Sequence, residues 1–210
     1  MVNIKNILVG FLVSFIGSIP LGYLNVIGFE IYKYQGLITT IFYLVGVICI
    51  EFFVIYFTLI FANTLTLNIK LTKYIEGFSI VFMFVLAYLF YFNAAKTENQ
   101  GNEFSHFGYW ATFTTGIVLS GLNFVQIPFW TSWNLYLLNG KHIEISGNRK
   151  YFYVFGTVVG TFLGMLVLIL FLNFFTNQTD FLANYLMKAI IPLVFVGLGI
   201  YQGIQFYKKY

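Results

Sequence analysis

Residues 10–28 read GFLVSFIGSIPLGYLNVIG, an apolar run that carries its own interruption at Pro20 and Gly22. Proline removes a backbone donor and glycine adds conformational freedom, so a membrane helix here breaks or kinks near its middle. In hydrocarbon every unpaired peptide group is expensive, and a break is tolerated only where protein or a watery cavity covers it. Gly10, Ser14, Ser18 and Gly22 recur at four-residue intervals, which lays small or weakly polar groups along one side of the helix. Those small residues fit a helix-packing seam. The break, with Asn25 five residues beyond Pro20, fits instead the discontinuous helices from which secondary transporters build a substrate site near the midplane.

The rest of the chain agrees with a membrane setting. Of 210 residues, 60% are hydrophobic, 22% aromatic and 9% charged, far outside the range of a soluble globular domain. The expected class is an all-α integral membrane protein. The first segment is too long for a signal-peptide core and lacks a small-residue cleavage site, so it is expected to be retained. Cys49, in an apolar run where burial is expected, is the one cysteine; an intrachain disulfide framework and a CxxC redox pair are excluded. The formal charge of +4 sits in loops, where it reports orientation and gives no reason to invoke nucleic acid.

Six apolar segments, each able to span about 30 Å of hydrocarbon, fall at roughly 5–29, 37–62, 74–95, 111–138, 152–175 and 183–206. Lys5, Lys70, Lys73, Lys141, Arg149, Lys150, Lys208 and Lys209 lie on one side of that topology, and Lys33, Lys96 and Lys188 on the other. Cytoplasmic loops hold the basic excess, so both termini are expected in the cytoplasm of a bacterial inner (plasma) membrane. Phe42-Tyr43-Leu44-Val45-Gly46 resembles Phe152-Tyr153-Val154-Phe155-Gly156, Ile19-Pro20 finds Ile127-Pro128, and Lys73-Tyr74 finds Asn184-Tyr185, at nearly constant separations of 110, 108 and 111. Three spans is an odd number, so the second copy sits upside down. The expected architecture is a 3+3 inverted-topology repeat: a first three-helix unit over 1–96, an extracytoplasmic linker over 97–110 and a second three-helix unit over 111–210.

Glu51 stands near the centre of the second segment with no basic residue in the same span. An ionisable group at that depth is a functional candidate by default, and this one could take up and release a proton during transport. A protonated glutamate that only fixes helix packing is the bland alternative. The fourth segment holds Asn123, Gln126, Thr131, Ser132 and Asn134, more hydrogen-bonding capacity than a lipid-facing helix should carry, with Pro128 interrupting the ladder. Asn123 and Gln126 can share a face, and Trp130 one turn on either holds the hydrocarbon part of a solute or packs the interior. Asn25 and Asn123 are the expected pair where two broken helices meet. Gly156, Gly160 and Gly164, and again Gly199 and Gly203, have the spacing of close helix packing. His106 and His142 lie in loops on opposite faces, no Cys/His cluster has metal-ligand spacing, and GxSxG, HExxH and phosphate-loop motifs are absent. No cofactor is expected, and a membrane-embedded enzyme would need a converging nucleophile or metal set that the sequence lacks.

Ile19-Pro20-Leu21-Gly22-Tyr23-Leu24-Asn25 resembles the Pro-Pro-Gly-Pro-x-Asn element in the first helix of lysine-exporter (LysE, RhtB-like) proteins. Gly121-Leu122-Asn123-Phe124 followed by Pro128-Phe129-Trp130 is similar to that family's Asn-Pro element and the Phe-Trp after it. Length, span number and repeated halves are similar too, while Leu21, Tyr23 and Phe124 stand where proline is usual. The resemblance implies a secondary transporter that exports amino acids or related small metabolites, driven by the proton gradient. Pro20, Gly22, Asn25, Asn123, Gln126, Pro128 and Trp130 would line the pathway and Glu51 would couple protons. A cation exporter of the same superfamily, a non-transporting membrane scaffold, and assembly into a homo-oligomer stay open.

Overall fold

The computed structural model describes residues 2–18, 22–67, 108–178 and 191–209, with scattered helical positions between 70 and 91. Pro20, half of 74–95, the 97–107 part of the linker and 179–190 lie outside the described residues, as do Lys96, His106, Asp180 and Lys188. The described residues are all-helical, in six elements: α1 (Val2–Gly17), α2 (Tyr23–Leu67), α3 (Tyr109–Leu122), α4 (Gln126–Asn139), α5 (Arg149–Gln178) and α6 (Ile191–Lys209). Two stretches, Tyr23–Ala62 and Arg149–Phe175, are long and apolar enough to cross a membrane.

The first expected segment is thus two pieces. α1 stops at Gly17 and helix resumes at Tyr23, so the break falls where Pro20 and Gly22 predict it. α2 then bends at Gly36, whose φ of 81° and ψ of −176° lie in a region open essentially only to glycine. The bend folds residues 37–67 back as a separate arm, and Thr39 and Thr40 tie its start to the carbonyls of Gln35 and Gly36.

Helix α1 is inside out relative to a soluble helix. It buries Asn6, Gly10 and Ser14 and exposes Ile4, Leu8, Leu12 and Ile16, each at four-residue spacing. α3 likewise buries Thr112, Gly116 and Ser120 and exposes Trp110, Val118 and Leu122. In water a helix hides its apolar stripe and presents its polar one; the reverse arrangement seen here is the favourable one in hydrocarbon, because packing of small residues replaces the hydrophobic drive.

The small stripes are where helices cross. α1 packs on α5, α2 on α3, and α4 and α5 on α2. A Cβ on Gly10 would lie 2.6 Å from the Tyr153 carbonyl oxygen, and one on Gly156 would collide with the Ile7 carbonyl. At the other crossing, a Cβ on Gly116 would collide with the Tyr43 carbonyl and lie 3.2 Å from Gly46 Cα, while one on Gly46 would collide with the Phe113 carbonyl. One apolar core gathers Tyr23, Val26, Phe29, Tyr43, Val47 and Ile169; a second gathers Ile55, Leu59, Trp130, Leu137, Tyr153 and Val154. Cys49, expected to be buried, is exposed on the outer side of α2, because Tyr43, Gly46 and Val47 take that helix's inward face.

Candidate functional site

The two helix breaks are built alike. At the first, Asn25 is buried at the start of α2 and its Nδ2 donates back to the Ser18 carbonyl at 3.0 Å. At the second, Gln126 opens α4 and its Nε2 donates back to the Ser120 carbonyl at 2.9 Å. A helix end leaves its last carbonyls without partners, and each amide supplies one across the gap. Asn123, expected to pair with Asn25, is instead the half-buried cap of α3, whose N–H donates to the Ser120 carbonyl. Pro128 does not make the break. It sits in the first turn of α4, where a missing N–H costs no helix bond; the ladder is interrupted earlier, at 123–125.

Tyr23 joins the breaks. Its hydroxyl donates to the Leu119 carbonyl at 2.6 Å, tying the first residue of α2 to the last turn of α3. The Tyr43 hydroxyl donates to the Leu24 carbonyl at 3.0 Å and holds the same turn from the arm after Gly36. Glu51, two turns further along that arm, is 8% exposed and within electrostatic reach of the Tyr23 phenol. The Thr161 hydroxyl of α5 stands beside the Glu51 carboxyl. No ion pair among the described residues involves Glu51.

Several buried oxygens here make no hydrogen bond among the described residues: Glu51 Oε2, Thr161 Oγ1, Ser120 Oγ, Gln126 Oε1 and Thr131 Oγ1. Each unmade hydrogen bond of that kind costs about 1–3 kcal/mol. By contrast Asn134, a turn beyond Thr131, is fully employed: its Nδ2 donates to Thr58 Oγ1 at 3.1 Å and its Oδ1 accepts the Tyr153 hydroxyl at 2.8 Å. Trp130 lies in the second apolar core and is a packing residue in this conformation, and Ser132 faces outward. Gly22 is half-buried at the first break, and its carbonyl accepts the N–H groups of Asn25 and Val26.

A cavity of about 480 Å³ opens beside the second break, between Val125 and Pro128 on one side and the last turns of α6 on the other. Away from these features, Asn6 is fully buried and its Nδ2 donates to the carbonyls of Glu144 and Arg149, which pins the start of α1 to the 139–150 connection. Glu144 itself accepts a bond from Arg149. Tyr23, Thr161 and Asn6 have no place in the site expected from sequence. Only the last carries a readable signal, as an amide two turns ahead of Ser14 on the small stripe. Compared with known proteins, the chain matches no family model, no curated protein and no solved structure.

Proposed function

We propose that the chain is a six-span secondary transporter of the lysine-exporter type, which exports amino acids or related small metabolites from the cytoplasm with Glu51 as its proton-coupling group. The observation that carries the reading is the Tyr23–Leu119 bond: two helices, each interrupted mid-course, are tied break to break beside a carboxyl that has no ion pair among the described residues. Exposed backbone ends and unpartnered oxygens at such a junction suit a solute that must be held and released.

The 3+3 inverted repeat is part of the proposal. Asn6, Gly10 and Ser14 of α1 correspond to Thr112, Gly116 and Ser120 of α3 at a constant offset of 106 residues, and Tyr43 and Gly46 correspond to Tyr153 and Gly156 at 110. The α1–α5 crossing and the α2–α3 crossing exchange under that correspondence. Glu51 and Thr161 are also 110 residues apart and meet each other, as residues at the axis relating two halves would. Lys5 reaches the carbonyl of Lys141, and Lys209 pairs with Glu76, which supports the termini sharing a face with their basic neighbours in the cytoplasm. The scaffold alternative needs glycine seams free for partners, whereas Gly10, Gly46, Gly116 and Gly156 are used within the chain.

The test is efflux from proteoliposomes over an amino-acid panel, with and without an imposed pH gradient. Flux that follows the gradient is expected, and Glu51→Gln is expected to abolish the gradient-driven part while expression is kept. No flux of any amino acid under either condition refutes the reading.

A further inference from the structure

We infer that the meeting of α2 with the start of α5 is a seat for an anionic phospholipid, whose phosphate is held by Lys150 and whose acyl chains cover the aromatic surface beyond. The inference rests on the bilayer setting proposed above and not on what is transported. Lys150 Nζ lies 5.6 Å from the ring centroid of Tyr56 and 5.3 Å from that of Tyr151, and the two rings stack 6.0 Å apart at 11°. An ammonium over aromatic faces is held in place without being neutralised. Arg149, its neighbour, bonds Glu144, whereas no ion pair among the described residues involves Lys150. α5 has no acidic residue in its first turn, so the positive end of a 30-residue helix adds to the same charge.

What surrounds Lys150 is ordered as a phospholipid is. Phe52 stacks on Tyr56 at 6.4 Å and 9°, so three near-parallel rings run from α5 onto α2. Phe52 is exposed, and so is Phe155, one turn beyond Tyr151 on α5. α2 enters this region from its bend at Gly36 and α5 leaves it, so both phenylalanines lie on the midplane side of the tyrosines. An ammonium, then amphipathic tyrosines, then apolar rings is the order in which a bilayer presents phosphate, ester region and acyl chains. The other cations of this end strengthen the sign. Lys5 donates to the Lys141 carbonyl and Asn6 to the Arg149 carbonyl, which draws Lys5 onto the 139–150 connection, where Glu144 is the one acid. A phosphate diester placed on Lys150 makes a charge-assisted bond that nothing in the first turn of α5 competes for. A soluble anion would use the ammonium alone and leave Phe52 and Phe155 uncovered.

The experiment takes the full chain in detergent and adds phosphatidylglycerol or phosphatidylcholine with the same acyl chains, reading Tm by tryptophan fluorescence and retained lipid by native mass spectrometry. At about ten times its dissociation constant the anionic lipid is expected to stay bound and to raise Tm by about 3–6 °C more than the zwitterionic one. Increments are taken from each variant's own midpoint in detergent, so a change in folding alone does not count. Lys150→Gln is expected to lose the increment and Lys150→Arg to keep it. Tyr56→Leu, which takes one ring from beneath the ammonium, is expected to lose part of it, and Lys208→Gln, which removes a cation near the C-terminus, to keep it. Equal increments from the two lipids, a full increment in Lys150→Gln, or an equal loss in Lys208→Gln overturns the inference. So does inorganic phosphate that reproduces the shift, or a dimer in place of bound lipid in the mass spectrum. Recovery of the chain from the soluble fraction of cells instead refutes the bilayer setting beneath it.

Discussion

Gly156→Ala is expected to unseat α1 from α5. The added Cβ would overlap the Ile7 carbonyl oxygen and stand 2.8 Å from Ile7 Cα, where relaxed carbon contacts lie near ~3.5–4.0 Å. What blocks it is backbone, so no rotamer change relieves the clash and the helices must move apart by roughly 1 Å. That separation also loosens Gly10 against Tyr153 and Gly160 against Phe11, two further close approaches on the same seam. Overpacking of this kind costs about 1–3 kcal/mol. For a chain of this length each kcal/mol moves the unfolding midpoint by roughly 2–4 °C, so Tm should fall by roughly 2–12 °C. The control is Gly121→Ala near the end of α3, where nothing stands within 4 Å and the helix gains up to about 1 kcal/mol from losing glycine's freedom. Both are read by thermal unfolding of the purified protein in detergent, followed by tryptophan fluorescence. If Gly156→Ala melts with Gly121→Ala, the close crossing of α1 and α5 is wrong.

Gly36→Ala meets no atom within 4 Å, yet its φ of 81° forces an alanine into strain worth about 1–3 kcal/mol, so Tm should fall without any steric contact; an unchanged midpoint would show that the bend is not built this way. Tyr23→Phe removes the 2.6 Å bond to the Leu119 carbonyl and is expected to lower both stability, by about 1–2 kcal/mol, and efflux; wild-type behaviour in both assays would sever the argued tie between the breaks. Thr161→Val is expected to keep or raise Tm while slowing efflux, and a variant with raised Tm and wild-type efflux would make Thr161 a packing residue only.

The breaks were legible in the sequence to different degrees. Pro20 and Gly22 mark the first because proline and glycine together leave the ladder little alternative. The second lies at 123–125, ahead of Pro128, since a proline in a first helical turn is tolerated and so misplaces the interruption by one turn. The four-residue spacing of Gly10 and Ser14 announced a seam, but a spacing cannot name the partner; only coordinates set Gly10 against Tyr153 and Gly116 against Gly46. Glu51 was conspicuous as a lone carboxyl in an apolar span. Tyr23 was visible only as a missing proline, because in a chain with 16 tyrosines one more carries no signal until its hydroxyl is seen on Leu119. Thr161, next to Gly160 on the glycine seam, gains meaning from Glu51, which lies 110 residues earlier in the chain.

The unpartnered oxygens decide between a sealed core and a solvated chamber. Glu51 Oε2, Thr161 Oγ1, Ser120 Oγ, Gln126 Oε1 and Thr131 Oγ1 would together cost about 5–15 kcal/mol if nothing ever bonded them. That equals the whole stability of an ordinary domain. Elsewhere Asn6, Asn134, Tyr43 and Tyr153 are as deeply buried and each makes hydrogen bonds. Among the described residues the deficit is local, concentrated where the second break, Glu51 and Thr161 lie. In a packing role, the Thr161 hydroxyl would be a net burden that valine relieves. In a transport site the same hydroxyl is a contact the passing solute or proton needs, and valine then exchanges function for stability. Opposite movements of Tm and efflux in Thr161→Val are what the second arrangement requires, and the first cannot produce them.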